Sequence, residues 1–219
     1  MIAIDGHSST GKSSISKEIA QILGLIHLDT GALYRGVTYF ALKNCLGEDG
    51  AIDLMHLAQQ IGEIHLEFKE VNGELELYLN GANIATEIRT PEVSQNVSQV
   101  AKEAFVRKFL LETQRSIAEK GGVIMDGRDI GTTVLPKADY KFFLTASIEE
   151  RTKRRFQELQ SFGVETDSES VRENLLARDK MDSEREVSPL KQAPDAILID
   201  NTDLTKEQTI SKLLSFIQE

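Results

Sequence analysis

The chain has 219 residues, a length typical of one domain with room for an insert. Charged residues make up 27% of it and hydrophobic residues 40%, which excludes a disordered, collagen-like or coiled-coil chain. Lys and Arg number 25 against 35 Asp and Glu, a net charge of −10 that is unfavourable for non-specific binding to nucleic acid or membranes. We therefore expect neither partner, and an anionic ligand would need a local basic patch.

The sequence is also typical of a cytoplasmic protein. Cys45 is the only cysteine, so it forms no intrachain disulfide and no cysteine metal site, as is usual in a reducing compartment. No apolar run approaches the roughly 20 residues that a membrane-spanning helix needs. Asp5 interrupts the first apolar run, which argues against a signal peptide. Because no large apolar surface is obvious, we expect a monomer.

Five short apolar segments predict the strands of a parallel sheet. They show little alternation of apolar and polar residues, as expected of strands that are covered on both faces. Helical patterns separate them, which indicates an α/β fold. In chain order the segments are residues 2–4, 25–28, 123–125, 140–144 and 196–199.

Several positions predict where helices begin and end. Apolar residues recur at the helical period after the first strand, and Gly24 then predicts a helix end. Ser147 with Glu150, and Thr205 with Gln208, have the spacing of capping boxes, which predicts helix starts. The last helix has an apolar face that we expect to lie on the sheet. That face consists of Ile210, Leu213, Leu214 and Ile217.

A segment from about residue 62 to 90 departs from this pattern. Apolar and polar residues alternate along it, and the pairs Asn72-Gly73 and Asn80-Gly81 interrupt the alternation. Asn-Gly between alternating runs is a strong hairpin signal. The segment therefore predicts a small antiparallel meander inserted into the α/β core. Its apolar positions are Ile64, Leu66, Phe68, Leu75, Leu77, Leu79 and Ile84.

The segment after the first predicted strand is a complete Walker A motif, Gly6-x-x-x-x-Gly11-Lys12-Ser13, and a helical pattern follows it. The glycines allow backbone N–H groups to surround phosphate oxygens, Lys12 can reach the terminal phosphates, and the Ser13 hydroxyl can ligate Mg²⁺. A chance match of a glycine-rich turn is the alternative, but the strand and helix on either side favour binding of a nucleoside triphosphate. The residues expected to bind it are Gly6, His7, Ser8, Ser9, Thr10, Gly11, Lys12, Ser13 and Ser14.

Arginines follow two of the predicted strands. Arg35 comes soon after the second, and Arg128 with Asp129 comes directly after the third. In open α/β sheets ligands bind at the carboxyl ends of the strands, so we expect Lys12, Arg35 and Arg128 to converge on one crevice for an anionic acceptor. A surface salt bridge would be the better explanation of a single arginine, whereas several at strand ends of an acidic chain favour a site.

Two further basic clusters lie later in the chain. Arg151, Arg154 and Arg155 have the spacing of one helix face. We expect them to be lid cations that close over phosphates, with the lid near residues 148–168, and a solvated basic face is the alternative. The second cluster consists of Arg178, Lys180 and Arg185, with Asp179 and Asp182 between them.

The absence of an Asn-Lys-x-Asp guanine motif argues against a GTPase switch, and the chain is short for an oligomeric ATPase. Taken together, the chain resembles the bacterial cytidylate kinases, the CMP/dCMP kinases of the nucleoside monophosphate kinase group, over nearly its whole length. Besides the phosphate loop, the resemblance rests on five fragments. They are Asp29-Thr30-Gly31-Ala32-Leu33-Tyr34-Arg35, Glu87-Ile88-Arg89-Thr90, Val97-Ser98-Gln99-Val100-Ala101, Asp126-Gly127-Arg128-Asp129-Ile130-Gly131-Thr132 and Arg178-Asp179-x-x-Asp182.

The resemblance implies a single P-loop kinase domain. Its fold would be three-layered, with a central five-stranded parallel sheet, a small antiparallel insert in the monophosphate-binding part and a helical lid. The core would comprise residues 1–30, 98–147 and 169–219, and the monophosphate-binding part residues 31–97. The insert would lie at about 62–90 and the lid at about 148–168.

The resemblance also implies direct transfer of the ATP γ-phosphoryl group to CMP or dCMP, with Mg²⁺. Lys12, Arg128 and the three lid arginines would be catalytic, and Ser13 would be a possible Mg²⁺ ligand. Ser98, Arg107 and Asp129 would read cytosine, since a carboxylate accepts from its N4 amino group and would reject uracil. The residues implied to bind CMP are Thr30, Tyr34, Arg35, Ser98, Arg107, Arg128, Asp129, Arg178, Asp182 and Arg185.

The sequence departs from many relatives in the phosphate loop, where His7, Ser9 and Thr10 replace Pro, Gly and Ala, and Ser13 replaces Gly. Their backbone N–H groups still serve, and Ser13 makes a direct Mg²⁺ ligand plausible. Two other functions stay open at this point. One is a small P-loop kinase that acts on UMP, AMP or a non-nucleotide acceptor, and the other is a nucleotide-dependent regulatory module without turnover.

Overall fold

A computed structural model describes residues 1–71, 74–119 and 121–217. These residues form two units: unit 1 is built from residues 1–28 and from the chain after residue 117, and unit 2 from residues 29–117. Unit 2 therefore contains the whole segment expected to bind the monophosphate and continues past it.

Unit 1 contains a parallel sheet, as the sequence predicts. Its strands are β1 (Ile2–Gly6), β2 (Ile26–Asp29), β6 (Val123–Gly127), β7 (Tyr140–Thr145) and β8 (Ile197–Asp200). Among the described residues the order is β2-β6-β1-β7-β8, with β1 pairing in parallel with β6 and β7 and β7 pairing in parallel with β8. Each of the five predicted apolar segments is a strand, which confirms the α/β fold around a five-stranded parallel sheet.

The order of the strands places the functional loops. β1 lies between β6 and β7, so the loop that follows β1 starts beside the ends of both neighbours. In a parallel sheet the carboxyl ends of adjacent strands share one edge, where ligands of α/β proteins bind. The segments after β1 and β6 therefore begin at the same edge.

Helices occupy most of the remaining chain. They are α1 (Lys12–Leu23), α2 (Thr30–Asn44), α3 (Leu54–Gln60), α4 (Pro91–Ala101), α5 (Ala104–Ala118), α6 (Ile148–Ser161), α7 (Ser168–Glu184) and α8 (Lys206–Ile217). Gly24 ends α1 as predicted. The apolar face of α8 packs in the core of unit 1 against strands β1, β7 and β8, which confirms the expectation for the last helix.

The two predicted capping boxes differ. At the start of α8 both halves are present, since Gln208 N–H donates to Thr205 Oγ1 and Thr205 N–H donates to Gln208 Oε1. At the start of α6 only Ser147 Oγ accepts a bond, from Glu150 N–H at 3.2 Å. The second half is wrong, because Ser147 N–H donates to Thr202 Oγ1 and the Glu150 carboxylate accepts from Arg154 instead.

Unit 2 contains the predicted meander. Its strands are β3 (Leu66–Val71), β4 (Glu74–Leu79) and β5 (Ala82–Asn83), and β4 pairs antiparallel with both neighbours. Asn80 and Gly81 connect β4 to β5 with φ values of 49° and 83°, the left-handed conformations that a tight type I′ hairpin turn requires. The predicted turn at 72–73 lies outside the described residues.

The core of unit 2 joins the meander to its helices. Leu77 of β4 and Ile84 pack with Val37 of α2, and Cys45 is completely buried in the same cluster. The Cys45 thiol faces Gln60 Oε1 at 3.8 Å, and burial raises its pKa above the ordinary value for cysteine. Within the described residues no helix combines the length and apolarity needed to cross a bilayer.

Candidate active site

The phosphate loop connects β1 to α1 with several residues in unusual backbone conformations. Ser9 and Gly11 have φ values of 60° and 85°. A Cβ atom on Gly6 would lie 2.0 Å from the carbonyl oxygen of Leu144 in β7, so no other residue fits there. Thr10 Oγ1 donates to the His7 carbonyl at 3.0 Å, which ties the loop across its width. Successive N–H groups of such a loop form a concave anion site at the start of a helix.

Lys12 is buried at the start of α1. Its ammonium donates to the His7 carbonyl at 2.6 Å and to Thr10 Oγ1 at 3.4 Å, and neither of these oxygens carries a charge. Burial, followed by the charge of Arg128, lowers the pKa of Lys12 well below its ordinary value. A phosphate beside the ammonium would reverse this effect, so the loop favours an anion at this place.

Ser13 contacts a carboxylate at the end of β6. Its hydroxyl donates to Asp126 Oδ2 at 2.6 Å, and Asp126 Oδ1 lies 2.7 Å from His27 Nε2. A serine of the phosphate loop and an aspartate at a strand end are the residue pair with which P-loop proteins hold Mg²⁺. Within the described ranges no cluster of three or more His, Cys, Asp or Glu could hold a metal ion.

The segment after β6 contains a network of paired charges. Arg128 Nε donates to Asp182 Oδ2 at 2.8 Å, and Arg128 Nη2 donates to Ser8 Oγ of the phosphate loop at 3.0 Å. Burial alone would lower the pKa of Arg128, but the charge of Asp182 raises it. For Asp182, burial alone would raise the pKa of the carboxyl. The positive charges of Arg128 and Arg178 outweigh burial, so the pKa of Asp182 is lowered.

Arg185 extends this network. Its guanidinium lies 3.4 Å from Asp129 Oδ1 and 3.5 Å from Asp182 Oδ1, and its Nε donates to the Ser188 carbonyl at 2.8 Å. Arg185 and Asp129 have side chains that are 4% and 6% exposed. Unit 1 therefore brings Arg128, Asp129, Asp182 and Arg185 together beside the phosphate loop.

The three arginines of α6 have different surroundings. Arg151 is buried and donates to Asp179 Oδ2 at 2.6 Å and to the Ser8 carbonyl at 3.4 Å. Arg154 donates to Glu150 and to both oxygens of Asn201. Arg155 forms an exposed pair with Glu158 on its own helix, at 2.7 Å. Arg151 therefore contacts the phosphate loop directly. Arg154 is linked to the loop through Asn201, whose side-chain N–H donates to the Thr10 carbonyl. Arg155 is paired with Glu158 instead.

Unit 2 holds five of the residues predicted to bind the acceptor, whereas Arg178 lies on α7 in unit 1. Arg35 Nη2 donates to Asp29 Oδ2, so the two ends of the Asp29–Arg35 fragment are paired. The guanidinium of Arg107 lies over the ring of Tyr34, 5.2 Å from its centroid. Arg107 Nη1 also donates to the Ala101 carbonyl at 3.1 Å. The remaining residues of this group are buried, Thr30 at the start of α2 and Ser98 on α4.

Residues that sequence reasoning assigned no role also lie in the site. Asp126 binds Ser13, Asp179 binds Arg151, and Asn201 binds the loop. Asp5, at the end of β1, accepts from the backbone N–H groups of Ile130 and Gly131. A polar residue at the end of an apolar strand was the available signal for Asp5 and Asp126, since both follow apolar runs that the sequence identifies as strands.

A phosphate loop at the end of β1 and a second set of cations beside it define a P-loop kinase. Solved structures share this fold at low identity. An uncharacterized protein from Eubacterium ventriosum has a TM-score of 0.52 at 13% identity, with 99% of this chain and 97% of that chain covered. A shikimate kinase from Bacteroides thetaiotaomicron has a TM-score of 0.50 at 10% identity, with 100% and 98% covered.

Sequence comparison identifies the family. The cytidylate kinase family model matches residues 2–219. A cytidylate kinase of Bacteroides fragilis is 47% identical over 93% of this chain and 90% of its own length. One of Bacillus cereus is 44% identical over 99% and 95%. The chain therefore belongs to the cytidylate kinase family, which confirms the resemblance: it is a nucleoside monophosphate kinase that phosphorylates CMP, with ATP as the donor implied by the family.

Proposed function

We propose that the chain transfers the γ-phosphoryl group of ATP in line to CMP and to dCMP, with Mg²⁺ bound to the triphosphate. The observation that carries this proposal is the 3.0 Å hydrogen bond from Arg128 to Ser8 of the phosphate loop. Arg128 follows β6, and the loop follows β1, so a cation expected on the acceptor phosphate stands beside the loop expected to hold the donor. Phosphoryl transfer needs the donor and acceptor sites to be adjacent, because its catalysis consists of positioning the two substrates and neutralising the negative charge of their phosphates.

The donor phosphates are bound, in this proposal, by the residues of the loop from Gly6 to Ser14. Lys12 neutralises charge on the transferred phosphoryl group, because its ammonium lacks a charged hydrogen-bond partner in the described structure and is buried. Arg151 adds a second cation next to the Ser8 carbonyl. Arg154 and Arg155 are proposed to act from the lid. Charges that stand ready before the reaction stabilise the transition state without reorganisation.

Ser13 and Asp126 are proposed to hold Mg²⁺ together with phosphate oxygens. Their oxygens are the hard ligands that Mg²⁺ prefers, and they are already 2.6 Å apart in a hydrogen bond that the ion would replace. When bound, Mg²⁺ would neutralise negative charge on the phosphates of ATP. His27 holds the other oxygen of Asp126 and thereby fixes the orientation of the carboxylate.

We propose that the acceptor is bound through its phosphate by Arg35, Arg128 and Arg185, with Thr30 and Tyr34 lining the site. Asp129, Ser98 and Arg107 read cytosine, with Asp129 accepting from the N4 amino group. Uracil has a carbonyl at that position, which would leave the carboxylate repelled and without a donor. The sugar is contacted by Arg178 and Asp182.

The division of the chain into a core, a monophosphate-binding part and a lid at about 148–168 is part of the same proposal. The lid would consist of α6 and the segment before α7, with its arginines excluding water from the reacting phosphates. We further propose that the enzyme acts as a monomer on free nucleotides in the cytoplasm, consistent with its single cysteine and net charge of −10.

The experiment that tests this function is ADP release in a coupled assay with ATP, Mg²⁺ and CMP, dCMP, UMP, AMP or GMP in turn. Fast turnover restricted to CMP and dCMP supports the reaction and the assignment of the base. Equal turnover of UMP would keep the kinase and overturn base reading by Asp129. Absence of turnover with CMP and dCMP would overturn the proposal.

Asp129→Asn isolates the base contact. An amide can present either a donor or an acceptor, so the ratio of kcat/KM for CMP over UMP should fall by at least about tenfold. The matched control is Asp195→Asn, which makes the same chemical change at an exposed carboxylate paired with Lys141. An unchanged ratio in Asp129→Asn would mean that Asp129 does not read the base.

A further inference from the structure

Asp5 is a buried carboxylate with no part in the scheme above. It is 3% exposed, although it ends an apolar strand in which Ile2, Ala3 and Ile4 are almost fully buried. Its two oxygens accept from two successive backbone groups of the segment after β6, Oδ1 from Ile130 N–H at 2.8 Å and Oδ2 from Gly131 N–H at 2.7 Å. These are short, charge-assisted bonds that fix the direction of both peptide groups.

The bonded segment directly follows Arg128 and Asp129. The Ile130 N–H belongs to the same peptide group as the Asp129 carbonyl, which in turn accepts from Thr133 N–H at 2.9 Å. Fixing that peptide group therefore fixes the backbone from which the Asp129 side chain projects. On its other side, Asp5 is bonded through the main chain to Gly6, the first residue of the phosphate loop.

We propose, building on the proposed role of Asp129, that Asp5 is a positioning residue for base recognition, which holds the segment carrying Arg128 and Asp129 in register with the phosphate loop. A carboxylate is needed because it offers two acceptors and no hydrogen. Asparagine of the same shape offers one acceptor and turns its NH₂ group toward the second N–H. One buried donor then lacks a partner, and the segment can shift.

The unfavourable burial of the Asp5 charge supports a role for this residue in function. Burial is the largest influence on the Asp5 carboxyl and raises its pKa to about 6. The hydrogen bonds from the N–H groups of Gly131 and Ile130 act in the opposite direction. The negative charge of Asp129 also raises the pKa, and the positive charge of Lys12 lowers it. Lys141 also lies beside the contact, since its methylene groups are near Gly131. A neutral side chain would avoid the unfavourable burial of charge, and the chain nevertheless has a carboxylate here.

Gly131 permits the close approach. A Cβ atom there would lie 3.3 Å from Asp5 Oδ2 and 3.3 Å from Lys141 Cδ. An alanine at position 131 would therefore crowd the Asp5 carboxylate and disturb its hydrogen bond to the backbone. Gly131→Ala therefore perturbs the same contact without changing Asp5. Its effect should have the same direction as that of Asp5→Asn and be smaller.

The test compares Asp5→Asn, Gly131→Ala and Ile2→Val, the last a buried substitution in the same strand that controls for loss of stability. We expect Asp5→Asn to raise the KM for CMP and to lower the CMP-to-UMP ratio of kcat/KM by about tenfold, the effect of one unpaired buried donor. The dissociation constant for ATP alone should change by less than about threefold. Ile2→Val should leave the ratio unchanged.

The pH profile gives a second readout that a loss of stability would not produce. In the wild type the CMP-to-UMP ratio should fall between pH 7 and pH 5 as Asp5 takes up a proton, whereas in Asp5→Asn this fall should be much smaller. The titration of the acceptor phosphate affects both substrates and cancels in the ratio. A wild type that prefers CMP, together with an unchanged ratio in Asp5→Asn and Gly131→Ala, overturns the role of Asp5. A wild type without the preference overturns the proposed base reading instead.

Discussion

The phosphate loop and the segment after β6 each contain a buried cation, but the two cations differ in their hydrogen-bond partners and in the direction of their pKa shifts. In the loop, Lys12 donates to uncharged oxygens of His7 and Thr10, and its pKa lies well below the ordinary value because of burial. After β6, Arg128 is paired with the Asp182 carboxylate, and its pKa is raised. Both cations belong to unit 1, and Ser8 of the loop is bonded to Arg128.

The difference indicates two uses of buried charge. The Lys12 ammonium has only uncharged oxygens as hydrogen-bond partners, so a phosphate that binds beside it displaces no carboxylate from it. A cation with a counter-charge is fixed in place, but an arriving phosphate must compete with the carboxylate that holds it. We therefore expect Lys12 to contribute mainly to the rate and Arg128 to both the rate and the stability of the fold.

Lys12→Ala should have the largest effect. Removing this cation should lower kcat by about 10³-fold, because its charge is needed most as negative charge develops on the transferred group. CMP binding, measured by calorimetry with CMP alone, should change little, since Lys12 is placed on the donor side. Loss of CMP affinity in this variant would indicate misfolding or a shared site, and would contradict the contrast with Arg128.

Arg128→Ala should differ by destabilising the fold. It leaves Asp182, whose side chain is 9% exposed, without its closest partner, and the free energy of unfolding should fall by about 3 kcal/mol. Urea titration measures this loss, and Arg155→Ala is the control, since its exposed pair with Glu158 should contribute at most about 1 kcal/mol. Equal losses in the two variants would mean that the Arg128–Asp182 pair contributes no more than a surface salt bridge.

Asp5→Asn should lower activity far less than Lys12→Ala does, and its effect on stability should depend on pH. Asp5 binds its proton more tightly in the folded chain, where its pKa is about 6, than in the unfolded chain, where it is 3.8. Its contribution to stability is therefore present at low pH and lost as pH rises through about 6. Relative to the wild type, Asp5→Asn should gain up to about 3 kcal/mol between pH 4 and pH 7.

Urea titrations of both proteins across this pH range measure that gain. Asp195→Asn is the control with the opposite sign, because a hydrogen bond from Lys141 lowers the pKa of Asp195. A difference between Asp5→Asn and the wild type that does not vary with pH would show that the pKa of Asp5 is not raised.

The sheet, the meander and the phosphate loop could all be predicted, because each is written in a continuous stretch of sequence. Apolar runs identify the strands, Asn80-Gly81 identifies the hairpin, and the loop has fixed spacing. The seven-residue helix α3 has too few turns for its period to stand out, although Asp53 caps it by accepting from Met55 and His56 N–H.

The partners of the charged residues could not be predicted in this way. Ser13 and Asp126 are 113 residues apart, and Asp5 and Ile130 are 125 apart, so only the strand order brings them together. At Glu150 the capping-box pattern predicted the wrong partner, because the Glu150 carboxylate accepts a hydrogen bond from the charged Arg154 side chain instead. Local patterns therefore predict which residues are available at the sheet edge, and tertiary structure decides which of them pair.

The burial of Cys45 has a practical consequence for studying the enzyme. Thiol-reactive dyes attack the thiolate, and Cys45 is both inaccessible and held in its protonated form by a raised pKa. Since it is the only cysteine, the native chain should remain unlabelled under conditions that modify an exposed thiol. A single introduced cysteine, such as Ser161→Cys at the exposed end of α6, would then carry a fluorophore at one defined place without prior removal of the natural one.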